Sequence, residues 1–556
     1  MNSPFTFPVF IALTLVSAAK AEQWSAHLPP EWLGVVVVHD LGEFDRHAAQ
    51  LAEQFGMEAP GLVRLLESAG LTDVSDASGS WLAGLARGPV GADEPYPFAM
   101  IPVTDFAAFV KALDGDLRGT TAVVTLAQQD LLAGNCGKWA LLMNPDQREI
   151  LESVIARAPN DTASHQGILA ATNGIASAHV SQLGLKWLAE YQSPGDRRSR
   201  QQMSARRKRG LAMLSLDGAK ESLILDKPVW EWVAATFERV GITIDVDEAG
   251  EARVMVEAAK PQAASNAKLA GESEDEGVIG NREWIFAGTV QFSPELGDLA
   301  TGWQVAVLKS SPEEFGIKEF SPAEITALEG SIQNAIGQVV NARFASLSSR
   351  DLPVHGNRVM VLDVQNADDF LAACGEIVQR WNAMIEASKA EVKLAFSAEP
   401  VEIAGCAGQR FFVDMVEAVD VPRSPEVAKV MADMFGPEGI LSWYVLPMAE
   451  GQVAVANLPR KEVETLIRDL KNGDAKPQAA GSATMKLDAS AYVDWGQRRD
   501  LTVTGDTVGG PRFVPLPKSD PLEGSLTVHD GAVELELVLP PSLVEALGKH
   551  AHETRR

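Results

Sequence analysis

Apolar residues fall into short blocks along this chain, and the spacing within each block predicts its element. Trp32 to His39 (WLGVVVVH) is a continuous apolar run of the length of a buried strand. Over 42–55, Phe44, Ala48, Leu51 and Phe55 recur at helical spacing, and a second helix is predicted over 60–69. PFAMIPVTDFAAFVKAL (97–113) reads as a strand running into an amphipathic helix, and TAVVTLAQQDLLAGNCGKWALLM (121–143) as antiparallel strands joined by short polar turns. Asn144 and Pro145 signal the start of a helix in DQREILESVI. A strand (ASAHVSQL) and a helix (LKWLAEY) follow, then a hairpin candidate at 211–225 with Asp217 and Gly218 at its turn. A helix from Pro228 carries Trp230 and Trp232, two apart and so on different sides, one expected in the core and one partly exposed; Phe237 lies near its end. The hairpin ITIDVDEAGEARVMVE closes this half at about residue 258.

The second half repeats the pattern. EWIFAGTVQF (283–292) parallels the first apolar strand, and Ser321, Pro322 and Glu324 offer N-cap, first-turn and third-position residues close to a capping box. Ile325, Leu328, Ile332, Ile336, Val339 and Phe344 make one stripe on the helix that follows. RVMVLDVQNADDFLAAC (358–374) then echoes 97–113, with Met360 for Met100, Asp369 for Asp105, Phe370 for Phe109, Ala373 for Ala112, and one residue inserted. Strands are expected at EVKLAF, PVEIAG and QRFFVDM, and a helix from Ser424 and Pro425. GQVAVANLPRKEVETLI matches GKWALLMNPDQREILESVI, SATMKLDASAYVDWG matches ASAHVSQLGLKWLAEY, and GSLTVHDGAVELELVL, with Asp530 and Gly531 at its turn, matches the closing hairpin. This order predicts an α+β fold: two tandem copies of a mostly antiparallel sheet module covered by helices, at 33–260 and 283–550. Residues 261–282, rich in Ala, Ser and acids, have linker composition.

Composition bounds the picture. At 556 residues, 46% apolar and 22% charged, the chain holds more than one core and is not a disordered chain. An apolar run from Phe5 to Ala19 followed by Ala19-Lys20-Ala21 predicts a signal peptide over 1–21, cleaved after Ala21, and a periplasmic or secreted protein. No later stretch approaches the ~20 apolar residues of a transmembrane helix. A net charge of −27 disfavours nucleic acid as a partner. Cys136, Cys374 and Cys406 show no zinc spacing; Cys374 could pair with Cys406, or all three could fill small core positions.

Chemistry is sparse. There is no GxSxG, HExxH, CxxC or Gly-rich phosphate loop, the histidines are scattered, and no motif asks for a cofactor or metal. DVDEAG (245–250) fails as a calcium loop, with Val256 where a bidentate Glu is required, and reads as a hairpin turn. Asp40 and Asp105 stand at strand-to-helix junctions, where acids serve chiefly as caps. One stretch departs from the acidic character: Arg197, Arg198, Arg200, Arg206, Arg207, Lys208 and Arg209. These either grip an anionic envelope component or an acidic protein, or form a solvated helix face neutralised by Glu272, Glu274, Asp275 and Glu276. In its signal peptide, its duplicated strand-helix segment and its GKWALLMNP stretch, the chain resembles large exported proteins of unknown function common in planctomycete bacteria. That resemblance implies export and carries no site across. The expectation is an exported, non-catalytic binding or envelope-associated protein; its rivals are a periplasmic hydrolase with a site at the module interface and a carrier of apolar ligands.

Overall fold

The computed structural model describes residues 27–54, 61–88, 95–126, 129–157, 174–190, 227–247, 249–260, 283–310, 320–388, 394–418, 424–448, 451–471, 482–504, 514–529 and 532–554. They form two compact units, the first from Met1–Leu188, Ala234–Lys268 and Asp530–Arg556, the second from Ala189–Val233 and Leu269–His529.

In chain order the first part runs β1 (Trp32–Val38), α1 (Leu41–Gln54), α2 (Leu62–Ser68), β2 (Trp81–Ala86), β3 (Tyr96–Pro102), α3 (Phe106–Ala112) and β4 (Asp116–Arg118). It continues with β5 (Thr121–Leu126), β6 (Gln129–Cys136), β7 (Trp139–Met143), α4 (Arg148–Ala156), β8 (Ala176–Ser181), α5 (Gln182–Glu190), α6 (Lys227–Thr236), β9 (Arg239–Val246) and β10 (Ala252–Ala259). Then come β11 (Trp284–Gln291), α7 (Pro294–Ser310), α8 (Pro322–Gln338), β12 (Val339–Leu347), β13 (Arg358–Val364), α9 (Ala367–Ser388), β14 (Ser397–Ile403) and β15 (Cys406–Asp414). The chain ends with α10 (Met415–Ala418), α11 (Pro425–Phe435), β16 (Ile440–Pro447), β17 (Gln452–Asn457), α12 (Arg460–Leu470), β18 (Ser482–Leu487), α13 (Ala489–Thr504), β19 (Leu522–His529), β20 (Ala532–Leu539) and α14 (Pro541–Thr554). The α+β expectation holds.

The first unit's sheet has the order β4-β5-β6-β7-β3-β2-β1-β8-β9-β10-β20, antiparallel at every step. The second unit's is β14-β15-β16-β17-β13-β12-β11-β18-β19, again antiparallel throughout. Central strands are covered on both faces, which is why WALLM of β7 is apolar at every position and buried at every position. On one face Val37, Phe98, Met100, Leu141 and Met143 meet Leu151 and Val154 of α4. On the other, Ile101 and Leu142 meet Phe106, Phe109 and Val110 of α3. The second unit repeats this, with Val359, Val361 and Ala454 against Val463 and Leu466, and Leu362 and Val453 against Phe370.

Local chemistry sets the element ends. Asp105 caps α3, its Oδ1 accepting from the N–H groups of Ala107 (2.7 Å) and Ala108 (3.0 Å), and Asp40 accepts from the N–H of Glu43. Both acids are caps, as the junction rule leads one to expect. Asp105→Ala should cost about 1 kcal/mol, to be read as a lower urea midpoint of the first unit. Asp247 accepts from the N–H groups of Ala249 and Glu251, and Gly250 takes φ +87, so DVDEAG is a hairpin turn.

Four expectations are corrected. The cap of α9 is Asn366, which accepts from the N–H groups of Asp368 and Asp369, so Asp369 is not the counterpart of Asp105. Ser321 stands at the N-cap of α8, but its hydroxyl makes no cap bond and the capping box is not formed. The stripe on α8 stops short: from Val339 the chain is strand β12, since the β-branched pair Val339 and Val340 suits a ladder better than a helix. Within EVKLAF, residues 394–396 join no strand, because α9 takes their backbone groups: the Asn382 amide brackets Phe396 in both directions at 2.8 Å, and Trp381 Nε1 donates to the Leu394 carbonyl.

Candidate functional site

Three histidines of the first unit sit in its interior, and each arrives there by strand or helix periodicity. Along β1, Val35 and Val37 point to one face, and His39 is next in that alternation, just beyond the strand. On β8 the same alternation presents Ser177 opposite Val37 and His179 opposite Val35. On β9, Thr243 pairs with Ser177 and Gly241 with His179; a Cβ at Gly241 would come within 3.3 Å of His179 Nδ1, so the glycine leaves room for the ring. Helix α1 supplies the third imidazole, His47, in a buried row with Leu41 and Phe44. His39, His47 and His179 are only 5%, 2% and 4% exposed.

Hydroxyls meet two of these rings. His179 Nε2 lies 3.0 Å from Ser177 Oγ, and His39 Nδ1 3.5 Å from Ser80 Oγ. His39 Nε2 and both ring nitrogens of His47 have no hydrogen-bond partner among the described residues. Burial pushes His39 down to about 4. Burial does the same to His179, helped by neighbouring His39 and by Arg239. His47 is lowered chiefly by burial and then by Arg46, against Glu43 and Asp245, which pull the other way. All three are therefore neutral at pH 7.

This arrangement is poorly suited to nucleophilic catalysis. Ser177 and His179 have the spacing of a nucleophile and its base, but Ser177 is 0% exposed, so no substrate carbonyl can reach its Oγ. In the second unit His355 is likewise pushed down to about 4 by burial, with Arg499 and Arg358 adding to it, and its ring stacks on Phe435 at 5.3 Å. Cys136, Cys374 and Cys406 are all free thiols. Burial pushes Cys136 and Cys374 up to about 12, so these two are protonated core groups and not reactive thiolates. Among the described residues no group of three or more His, Cys, Asp or Glu is placed to hold a metal ion, and no helix is long and apolar enough to cross a membrane.

Arg197, Arg198, Arg200, Arg206, Arg207, Lys208 and Arg209 lie outside the described residues, as do the signal-peptide segment, the hairpin candidate at 211–225 and Asp530 with Gly531. Trp230 and Trp232 do not divide into one buried and one exposed ring; both are half-buried, because Val229 and Val233 take the core positions of α6. Trp232 meets Trp303 edge-on at 5.8 Å. The imidazole layer was missed from sequence, although the Ser-x-His alternation in ASAHVSQL carried a signal for it: two polar residues on one face of a strand whose neighbours are apolar. No family model matches this chain, and no curated protein or solved structure is significantly similar to it.

Proposed function

We propose that the chain is an exported, non-catalytic binding protein of the cell envelope, built from two copies of one antiparallel module. The observation that carries the duplication is the strand order. Strands β1 to β9 follow the succession 4-5-6-7-3-2-1-8-9, and β11 to β19 follow the same succession ten higher. The shared succession, with the same two non-consecutive neighbour pairs in each set of nine, 7-3 and 1-8, supports duplication.

Residues support the same reading. Phe98, Met100, Ile101 and Phe109 occupy the core places taken by Val359, Val361, Leu362 and Phe370, and the caps Asp105 and Asn366 keep that spacing. The correspondence therefore needs no inserted residue, and Met100 answers to Val361 rather than to Met360. Gly34 and Gly288 correspond too: each lies where the neighbouring strand's backbone comes close, at the His179 and Thr484 carbonyls.

The interior supports binding over turnover in this reading. Ser177 and His179 bond one another in the interior, and the thiols of buried Cys136 and half-buried Cys374 are held protonated. Contact with an anionic envelope component is assigned to the seven basic residues of 197–209, the one strongly cationic stretch of an acidic chain. The test is retention of the chain from Glu22 onward on envelope fractions of the source cell, beside a variant with those seven residues changed to Ser. Retention at low salt, release as salt shortens the Debye length to ~3 Å near 1 M, and loss of retention in the variant are expected. Equal retention of both proteins, or of neither, would remove the basic stretch as the contact and bring the hydrolase and carrier readings forward.

A further inference from the structure

On one face of the second unit's sheet an unpaired guanidinium stands at the end of an apolar floor, and we propose that this cleft binds a fatty carboxylate, its head on Arg358 and Asn457 and its tail along Met360 and Phe344. Strand register lays the floor. Arg358, Met360 and Leu362 alternate onto one face of β13, and Phe344 of β12 lies directly opposite Met360. The same row continues through Gly288 of β11 to Met485 of β18. Gly288 adds no side chain, and the Phe344 ring leans over its place, 2.7 Å from where a Cβ would stand. With strands ~4.8 Å apart, Met360 to Met485 spans roughly 14 Å, room for an extended alkyl chain.

The floor is open but recessed. Strand β13 runs between β12 and β17, yet Met360 is 39% exposed. Helix α9 packs on the same face at the Val364 end, through Phe370 and Ala373 on Leu362, Val364 and Val453. Beyond the Arg358 end, Phe435 of α11 and Trp495 of α13 pack with Val413 and Leu441, also on this face. Trp495 Nε1 donates to the Val354 carbonyl, which ties α13 to the turn that leads into β13. Helices about 10 Å across thus stand at both ends, and a single hydrocarbon chain reaches the floor where a flat bilayer does not.

The head end is polar and short of partners. Across the ladder from Arg358 stand Ser346 of β12 and Asn457 of β17, only 4% and 3% exposed. Asn457 Oδ1 has no hydrogen-bond partner among the described residues. A buried amide in that state calls for a ligand atom, and turned end for end it donates from Nδ2. Arg358 is exposed and makes no ion pair or hydrogen bond among the described residues. Its charge and that of Arg499 on α13 both act on His355, while Asp494 of α13 is taken by Arg350. Two guanidinium groups therefore stand at one end of an apolar floor in an acidic chain. A carboxylate is their complement, since the planar guanidinium holds it by two parallel hydrogen bonds.

Isothermal titration of the full chain with decanoate, below its micelle concentration, tests the cleft. Decanol and decyltrimethylammonium serve as chain-matched probes without charge and with the opposite charge. Decanoate should bind at one site, and the other two at least about 10-fold more weakly. Arg358→Gln should weaken decanoate about 10- to 100-fold and leave decanol unchanged; because Arg358 is exposed and unpaired, this variant should melt with the natural chain. Met360→Asp, on the open floor, should abolish binding. The site is separate from the basic stretch of 197–209, so the variant with those seven residues changed to Ser should bind decanoate normally, and Arg358→Gln should still be retained on envelope fractions. No saturable binding of decanoate, equal affinity for the three probes, or unchanged affinity in Arg358→Gln would overturn the proposal.

Discussion

Phe109→Ala should destabilise the first unit by about 3–5 kcal/mol, the range for removing a fully buried aromatic ring. Phe109 is 0% exposed and anchors α3 among Ile101, Ala122, Val124 and Leu142. Its neighbours come from a helix and four hydrogen-bonded strands, which cannot close over the space it would leave. Phe370→Ala is expected to do the same to the second unit, because Phe370 anchors α9 among Leu362, Val453 and Val455 in the corresponding place. Urea unfolding followed by hydrogen exchange scores the two units separately. The midpoint of only the unit carrying the substitution should move in each variant. Losses under about 1 kcal/mol in both would show that the helices do not depend on these anchors, and a large loss in one alone would weaken the case for equivalent modules.

Gly184→Val should be damaging for the opposite reason, too much volume instead of too little. A Cβ at this position falls far inside contact distance of the Leu33 carbonyl oxygen and within 2.9 Å of Val180 Cγ1. Neither side can give: the Ser181 hydroxyl donates toward the Trp32 and Leu33 carbonyls at 2.7 and 3.2 Å and accepts from the Gly184 N–H at 3.1 Å, fixing the first turn of α5 against β1. Overpacking costs about 1–3 kcal/mol and occasionally more, and with both neighbours fixed the upper end of that range is expected. The contrast is Gly330 of α8, where an added Cβ meets nothing within 4 Å. Gly330→Ala should therefore stabilise its helix by about 0.5–1 kcal/mol. Thermal melts of the two variants should move in opposite directions; a neutral Gly184→Val would mean that the approach of α5 to β1 is loose.

Much of the architecture is local and was legible. WLGVVVVH, PFAMIP and WALLM became β1, β3 and β7, since a run buried on both faces must be apolar throughout. The caps Asp105 and Ser424 and the turn at Asp247 followed from side chains that bond their own backbone two or three residues on. What failed depended on distant parts of the chain. Residues 394–396 look like a strand, but Asn382 of α9 takes their hydrogen bonds. The pairing of His39 with His179 was hidden for a related reason: alternation places Ser177 and His179 on one face of β8, but only the folded chain brings His39, from the end of β1, close to His179. The basic stretch was fully visible as charge and stays a matter for binding experiments.

Strand β20 gives the first unit an unusual order of manufacture. Its residues, Ala532–Leu539, lie along β10 for the whole of that strand, from Ala252 opposite Leu539 to Ala259 opposite Ala532. The chain between the paired strands contains Leu269–His529, the larger part of the second unit. The N-terminal unit is thus the earlier one to be synthesised and the later one to be finished. Until β20 arrives, β10 has one bare edge, and Arg253 and Glu257, charges of the kind that discourage edge-to-edge association, stand on that strand. A nascent chain halted before Ala532 carries a first sheet one strand short, so the stability of the first unit reports whether β20 has been made.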